Sequence, residues 1–124
     1  MKTAVKIIQY LLGIYFVFVG VLHFLLPEGL PAPMAWMYDL SPGLHWFSGI
    51  AEIAAGLTLL LAGSVDRLKP LVPFASSGLV LLMIGASVWH FGRGETSNIA
   101  QNIVLIVVAG FVTYGRWWIA PYEK

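Results

Sequence analysis

Four long apolar stretches alternate with short polar connectors along this chain. They run from Ile7 to Leu26, Leu44 to Ala62, Leu71 to Phe91 and Ile99 to Ala120. Each has the roughly 20 residues that a helix needs to cross a hydrocarbon core of about 30 Å. Lipid offers no hydrogen-bond partners, so backbone at that depth must be helical. Within each stretch the polar and small residues recur every three or four positions, which places them on one helical face. The first stripe is Gln9, Gly13, Phe16, Gly20 and His23; the second is His45, Ser48, Gly49, Glu52 and Gly56. The third is Ser76, Val80, Met83, Ser87 and His90, and the fourth is Asn98, Gln101, Asn102, Leu105, Ala109 and Thr113. The pattern predicts an all-α bundle of four transmembrane helices, one membrane domain over residues 1–124. Polar stripes would face inward, and the small residues, Gly78 and Gly85 among them, would serve as helix contacts.

The connectors refine this picture. Pro27 to Gly43 has four prolines, two acids and no lysine or arginine, and with Trp36 and Tyr38 it reads as an interfacial, aromatic-anchored segment. Pro70 and Pro73 suit the first turn of the third helix, and Asn98 suits the cap of the fourth. Lys2, Lys6, Arg67, Lys69, Arg116 and Lys124 fall on one side of the membrane, and only Arg93 on the other. The positive-inside bias then puts both termini in the cytoplasm, with Trp117, Trp118 and Tyr122 in the inner aromatic belt. Lys2 and Lys6 before an apolar run also fit a signal peptide, but the run is too long for an h-region, so an uncleaved first helix is expected.

Composition agrees. Residues of the hydrophobic set make up 59% and charged residues 10%, against about 25% charged in soluble domains; mean hydropathy is +0.83. A disordered tail and a nucleic-acid binder are excluded. With no cysteine, thiol nucleophiles and thiolate metal sites are excluded too. The expected location is the plasma membrane, here a bacterial inner membrane, with multiple passes.

The chemistry concentrates at one depth. With this topology His23, His45, Glu52, His90, Asn98, Gln101 and Asn102 all fall in the outer half, with Glu52 about 12 Å deep at 1.5 Å per residue. A charge there costs about 2.5–3.5 kcal/mol on insertion scales, so Glu52 either stays protonated or pairs with His23 or His90. It reads as a proton-handling or ligand-orienting carboxylate, or as a hydrogen-bond hub between helices. His23 and His90 have three readings: a hydrogen bond to Glu52 or to an amide of the fourth helix, a contact to a quinone-like head group, or haem ligation, the least favoured. No metal site is expected, because no Glu-x-x-His pair is present. His45 reads as interfacial beside Trp46. Arg93 pairs with Glu95 or reaches into the outer mouth to meet an anion or Glu52. Tyr10, Tyr15, Phe16, Phe18 and Phe24 read as lipid-facing bulk.

Several segments together resemble the DoxX-like family. They are Phe18-Val19-Gly20-Val21-Leu22-His23-Phe24 followed by Pro27, and the helix Ser48-Gly49-Ile50-Ala51-Glu52-Ile53-Ala54-Ala55-Gly56-Leu57. Next come Met83-Ile84-Gly85-Ala86, His90 and Arg93-Gly94-Glu95, and then the opening of the last span at Asn98 to Asn102. The resemblance implies a four-helix membrane protein. It also implies an association with redox chemistry, because relatives include the small membrane subunit of a thiosulfate:quinone oxidoreductase. Other relatives act with oxidant-defence partners or as assembly factors.

Two functions are expected from these readings. The first is an accessory subunit of a membrane redox system, without activity alone, whose outer pocket of His23, Glu52, His90, Asn102, Gln101 and Arg93 takes a quinone or similar amphiphile. The alternative is a structural or assembly protein in which the polar cluster only fixes helix register. A transporter ranks below both, since four helices make a thin bundle. Expected partners are the lipid bilayer, a redox subunit and a second copy of the chain, but no nucleic acid.

Overall fold

The computed structural model describes residues 1–122, so Lys124 of the proposed inner charge set lies outside the described residues. Four helices form: α1 (Lys2–Leu25), α2 (Pro42–Leu61), α3 (Val72–Gly92) and α4 (Thr96–Tyr114). All four carry spans long and apolar enough to cross a membrane. Ser41 caps α2 by accepting a hydrogen bond from Leu44 N at 3.3 Å, with Pro42 in the first turn. Pro73 enters α3 in its first turn, while Pro70 lies in a preceding 3-10 segment, Asp66–Leu71.

Two boundaries differ from expectation. Asn98 does not cap α4. The cap position is Glu95, and Asn98 lies inside the helix, where its Nδ2 donates to Pro33 O at 2.9 Å. The turn before α4 is tighter than a capped start requires: Gly94 adopts φ 73°, which a Cβ would strain, and Glu95 N folds back onto His90 O. The fourth span also changes character at Gly115, becoming a wider π turn over Gly115–Ile119. There the backbone presses on α1, so that a Cβ on Gly115 would stand 2.6 Å from Val5 Cγ2.

The bundle is two hairpins. α1 packs along α2 and α3 along α4, with thinner contact between the pairs. The α1–α2 contact is backbone on backbone. A Cβ on Gly13 would meet Gly56 O at 3.0 Å, and one on Gly20 would meet Gly49 O at 3.1 Å. Glycines at these paired levels let antiparallel helices approach closely, which is how helices associate in lipid. The second hairpin is tied by Ser76 Oγ and Thr113 Oγ1 at 2.7 Å.

Toward the termini the bundle is filled by Leu12, Phe16, Leu59, Val72, Leu79, Ala109 and Val112. Below them the buried Arg116 closes the end. Its Nε donates to Gln9 Oε1 at 2.6 Å, its Nη1 to Ala120 O and its Nη2 to Tyr122 Oη, while Gln9 Nε2 donates to Leu59 O at 2.7 Å. One arginine thus joins α1, α2 and the end of α4. The sequence reading placed Arg116 only as a topogenic charge.

Gly78 and Gly85 correct the expectation that every glycine is a packing contact. Neither has an atom within 4 Å of where a Cβ would stand. Two outcomes follow. Gly56→Leu, whose Cβ would meet Val17 Cγ2 at 2.7 Å, lowers stability in detergent by about 1–3 kcal/mol, whereas Gly85→Ala leaves it unchanged or raised. Gln9→Leu leaves Arg116 Nε unpaired and costs about 1–3 kcal/mol. Thermal melts of the purified variants check both.

Candidate functional site

The apolar core stops short of the connector end of the bundle, and a cavity of about 850 Å³ lies there. All four helices and the 3-10 segment Ala32–Asp39 contribute to its wall. Phe18, Phe47 and Leu81 line it and are also exposed on the bundle's outer face, so the cavity reaches the surface that meets lipid. Gly78 and Gly85 stand on its α3 wall, which explains why they face open space.

Its polar groups come from the stripes of all four helices, His90 being the one from α3. The close Gly20–Gly49 contact brings His23 alongside α2, with Nε2 3.4 Å from Glu52 Oε2. On its other side His23 Nδ1 meets His45 Nδ1 at 2.9 Å. Asn102 and Gln101 face the cavity from α4, and Gln101 Nε2 donates to Tyr15 Oη at 3.1 Å. Glu52 and Asn102 are both more than nine-tenths buried. Glu52 Oε2 and Asn102 Nδ2 make no hydrogen bond within the protein.

The segment 32–39 forms the roof. Met37 is fully buried beneath it, and Trp36 stands edge-on to His90, ring centroids 4.9 Å apart, and beside Trp89 at 6.0 Å. The segment expected at the interface folds over this end of the bundle, with Met37 buried and Trp36 partly buried against the helices. Tyr38 Oη staples its approach by accepting from Leu30 N and donating to Pro27 O.

Arg93 holds the roof down. Its Nη2 donates to Asp39 Oδ2 at 2.7 Å and its Nε to Glu95 Oε1 at 2.7 Å. It pairs with Glu95 as expected, and it does not line the cavity or approach Glu52. The Arg93 guanidinium holds the Glu95 carboxyl below the usual carboxylate range, with a hydrogen bond to His90 adding to the effect. His90 lines the cavity wall, but its Nδ1 faces Glu95 Oε1 at 3.0 Å rather than Glu52. His45, read as merely interfacial, turns inward to His23. Tyr15, Phe16 and Phe18 line the cavity, and Phe16 is fully buried, so these three are not simple lipid-facing bulk. The His23–His45 contact and the Asp39 partner of Arg93 were missed because both depend on where the first connector folds. The crowding of polar residues at its two ends was the available signal.

Both ring nitrogens of His23 face other side chains, and no group of three or more His, Asp or Glu is placed to hold a metal ion among the described residues.

Fold and cavity define a small four-helix membrane protein with a mostly apolar chamber at one end, into which a few polar side chains point. A family model, the DoxX-like family, matches residues 7–112, and the chain belongs to that family. No curated protein and no solved structure matches.

The latch yields a prediction. Arg93→Gln frees Asp39 and speeds backbone hydrogen exchange over residues 34–40 several-fold, with the helices unaffected. The contribution of Glu95 runs with its depressed pKa. It is fully present above the ordinary glutamate value of about 4.3 and disappears as pH falls through the lower folded value. Roof protection, measured relative to the intrinsic exchange rate at each pH, therefore falls only below that ordinary value.

Proposed function

We propose that this protein is an accessory subunit of a membrane redox system, holding the polar head of a quinone or similar amphiphile in the cavity. We place it in the plasma membrane with both termini cytoplasmic and the cavity at the opposite face, following the lysine and arginine count. The carrying observation is the pair of buried atoms without partners, Glu52 Oε2 and Asn102 Nδ2, on one otherwise apolar cavity. A buried polar group left unpaired costs about 1–3 kcal/mol, and a ligand head removes that cost for both at once. The volume lies within the ~300–1,000 Å³ of small-molecule sites.

A quinone, when bound, supplies carbonyl acceptors and proton-coupled electron chemistry. Asn102 Nδ2 donates to a carbonyl oxygen, and the protonated Glu52 carboxyl donates to another or, once ionised, accepts from a hydroxyl. Trp36 and Trp89 border the head-group end of the cavity. Gly78 and Gly85 leave an unobstructed lane for an apolar tail. The redox assignment follows from what the family resemblance implies; the cavity supports the head-group binding.

The test is a titration of the protein in nanodiscs with decylubiquinone, read by quenching of tryptophan fluorescence. Binding saturates in the native protein. Glu52→Leu and Asn102→Leu each weaken it about tenfold, the loss of roughly 1.4 kcal/mol. Glu52→Gln retains binding and loses its pH dependence. Unchanged binding in the leucine variants, together with lowered thermal stability, would leave the cluster as helix glue.

A further inference from the structure

Glu52 needs a proton route if it is to change protonation inside the membrane, and the cavity wall offers one. Among the described residues, the basic side chain nearest its carboxyl is His23, with Nε2 3.4 Å from Oε2 and no hydrogen bond formed at rest. Tyr15 on α1 faces it at longer range and is engaged with Gln101. On α3, His90 lines the same cavity but points Nδ1 at Glu95. From α4 come the amides Asn98, Gln101 and Asn102, and among the described residues no lysine or arginine lines the cavity.

His23 is bifunctional in this setting. Nε2 faces Glu52 and Nδ1 faces His45, so the three side chains form a continuous line from the cavity to the start of α2. His45 is half-exposed, one turn after the Ser41 cap. Its Nε2 is buried without a partner, and the Met37 backbone of the roof segment faces the ring. A buried nitrogen with no protein partner, at the outer end of this line of side chains, is the exchange point that a water molecule completes when the roof lifts.

We propose that His45 and His23 are a proton relay that connects the Glu52 carboxyl to water at the connector end of the bundle. Water delivers a proton to His45 Nε2. His45 passes one from Nδ1 to His23 Nδ1, and His23 passes one from Nε2 to the Glu52 carboxylate. Each ring gains a proton at one nitrogen and loses one at the other, so the net change is one proton moved from water to Glu52, with no electron transferred. The latch of Arg93 on Asp39 sets how often the exchange point opens. The relay deepens the reading above by supplying the proton used at the head group, but its test involves no ligand, so the two fail separately.

The experiment is time-resolved infrared spectroscopy of the full chain in nanodiscs after a pH jump. The Glu52 carboxyl band is identified by its loss in Glu52→Gln. In the native protein the band follows the jump. In His45→Phe and His45→Ala it lags by at least about tenfold, while the equilibrium titration stays in place, and added imidazole restores the rate in His45→Ala. His45→Gln, which keeps a polar side chain, lags as well and guards against a folding defect in the other two. Variants that respond as fast as the native protein, no rescue by imidazole, or a native Glu52 band that ignores the jump each overturn the relay.

Discussion

The close approach of α1 and α2 at two glycine levels governs the rest of this molecule. Gly13 against Gly56 and Gly20 against Gly49 put the two backbones in contact. In lipid, where side chains gain nothing by leaving water, such contact is a main source of helix association. It fixes the register of the hairpin, and register places His23 between Glu52 and His45. A larger residue at Gly20 or Gly49 would displace both contacts of His23 together.

The two hairpins are not pressed together in the same way. Near the termini they are sealed by apolar side chains and by Arg116, whose three hydrogen-bonded nitrogens reach α1, the π turn and Tyr122. At the opposite end the α3 glycines face empty space and the roof segment substitutes for a core. One end is therefore filled by packed side chains and the other encloses a cavity. The roof is held by few contacts, with Trp36 against His90 below and the partly exposed Arg93–Asp39 pair at its edge. That pair is exposed to solvent and screened by it, so it is a weak fastening.

Much of this was legible in the sequence. Helical periodicity put Gln9, Gly13, Phe16, Gly20 and His23 on one face, and all five are buried. The same reasoning found Glu52, His90 and Asn102 at one level, and they share one cavity wall. Pairings across helices were not legible, because periodicity gives a residue's face and depth but not its neighbour. Thus His90 was free to pair with Glu52 on paper and instead meets Glu95, which the Gly94 turn returns to it. Likewise Gly78 and Gly85 have the composition of packing glycines, and only the arrangement of the hairpins shows that nothing packs on them. The roof was the least legible element. A proline-rich segment with Trp36 and Met37 reads as interfacial, but its contacts with His90 and the helix ends depend on long-range folding that local pattern does not encode.

The central claim is that the orphaned Glu52 and Asn102 atoms mark a site for an amphiphilic head group. Native mass spectrometry of the protein, extracted gently from its own membrane, tests this most directly. The expected result is a retained small-molecule mass in the native protein that is absent from Asn102→Leu prepared alongside it. The same bare mass for both proteins, under conditions that preserve bound lipid elsewhere on the surface, would contradict it.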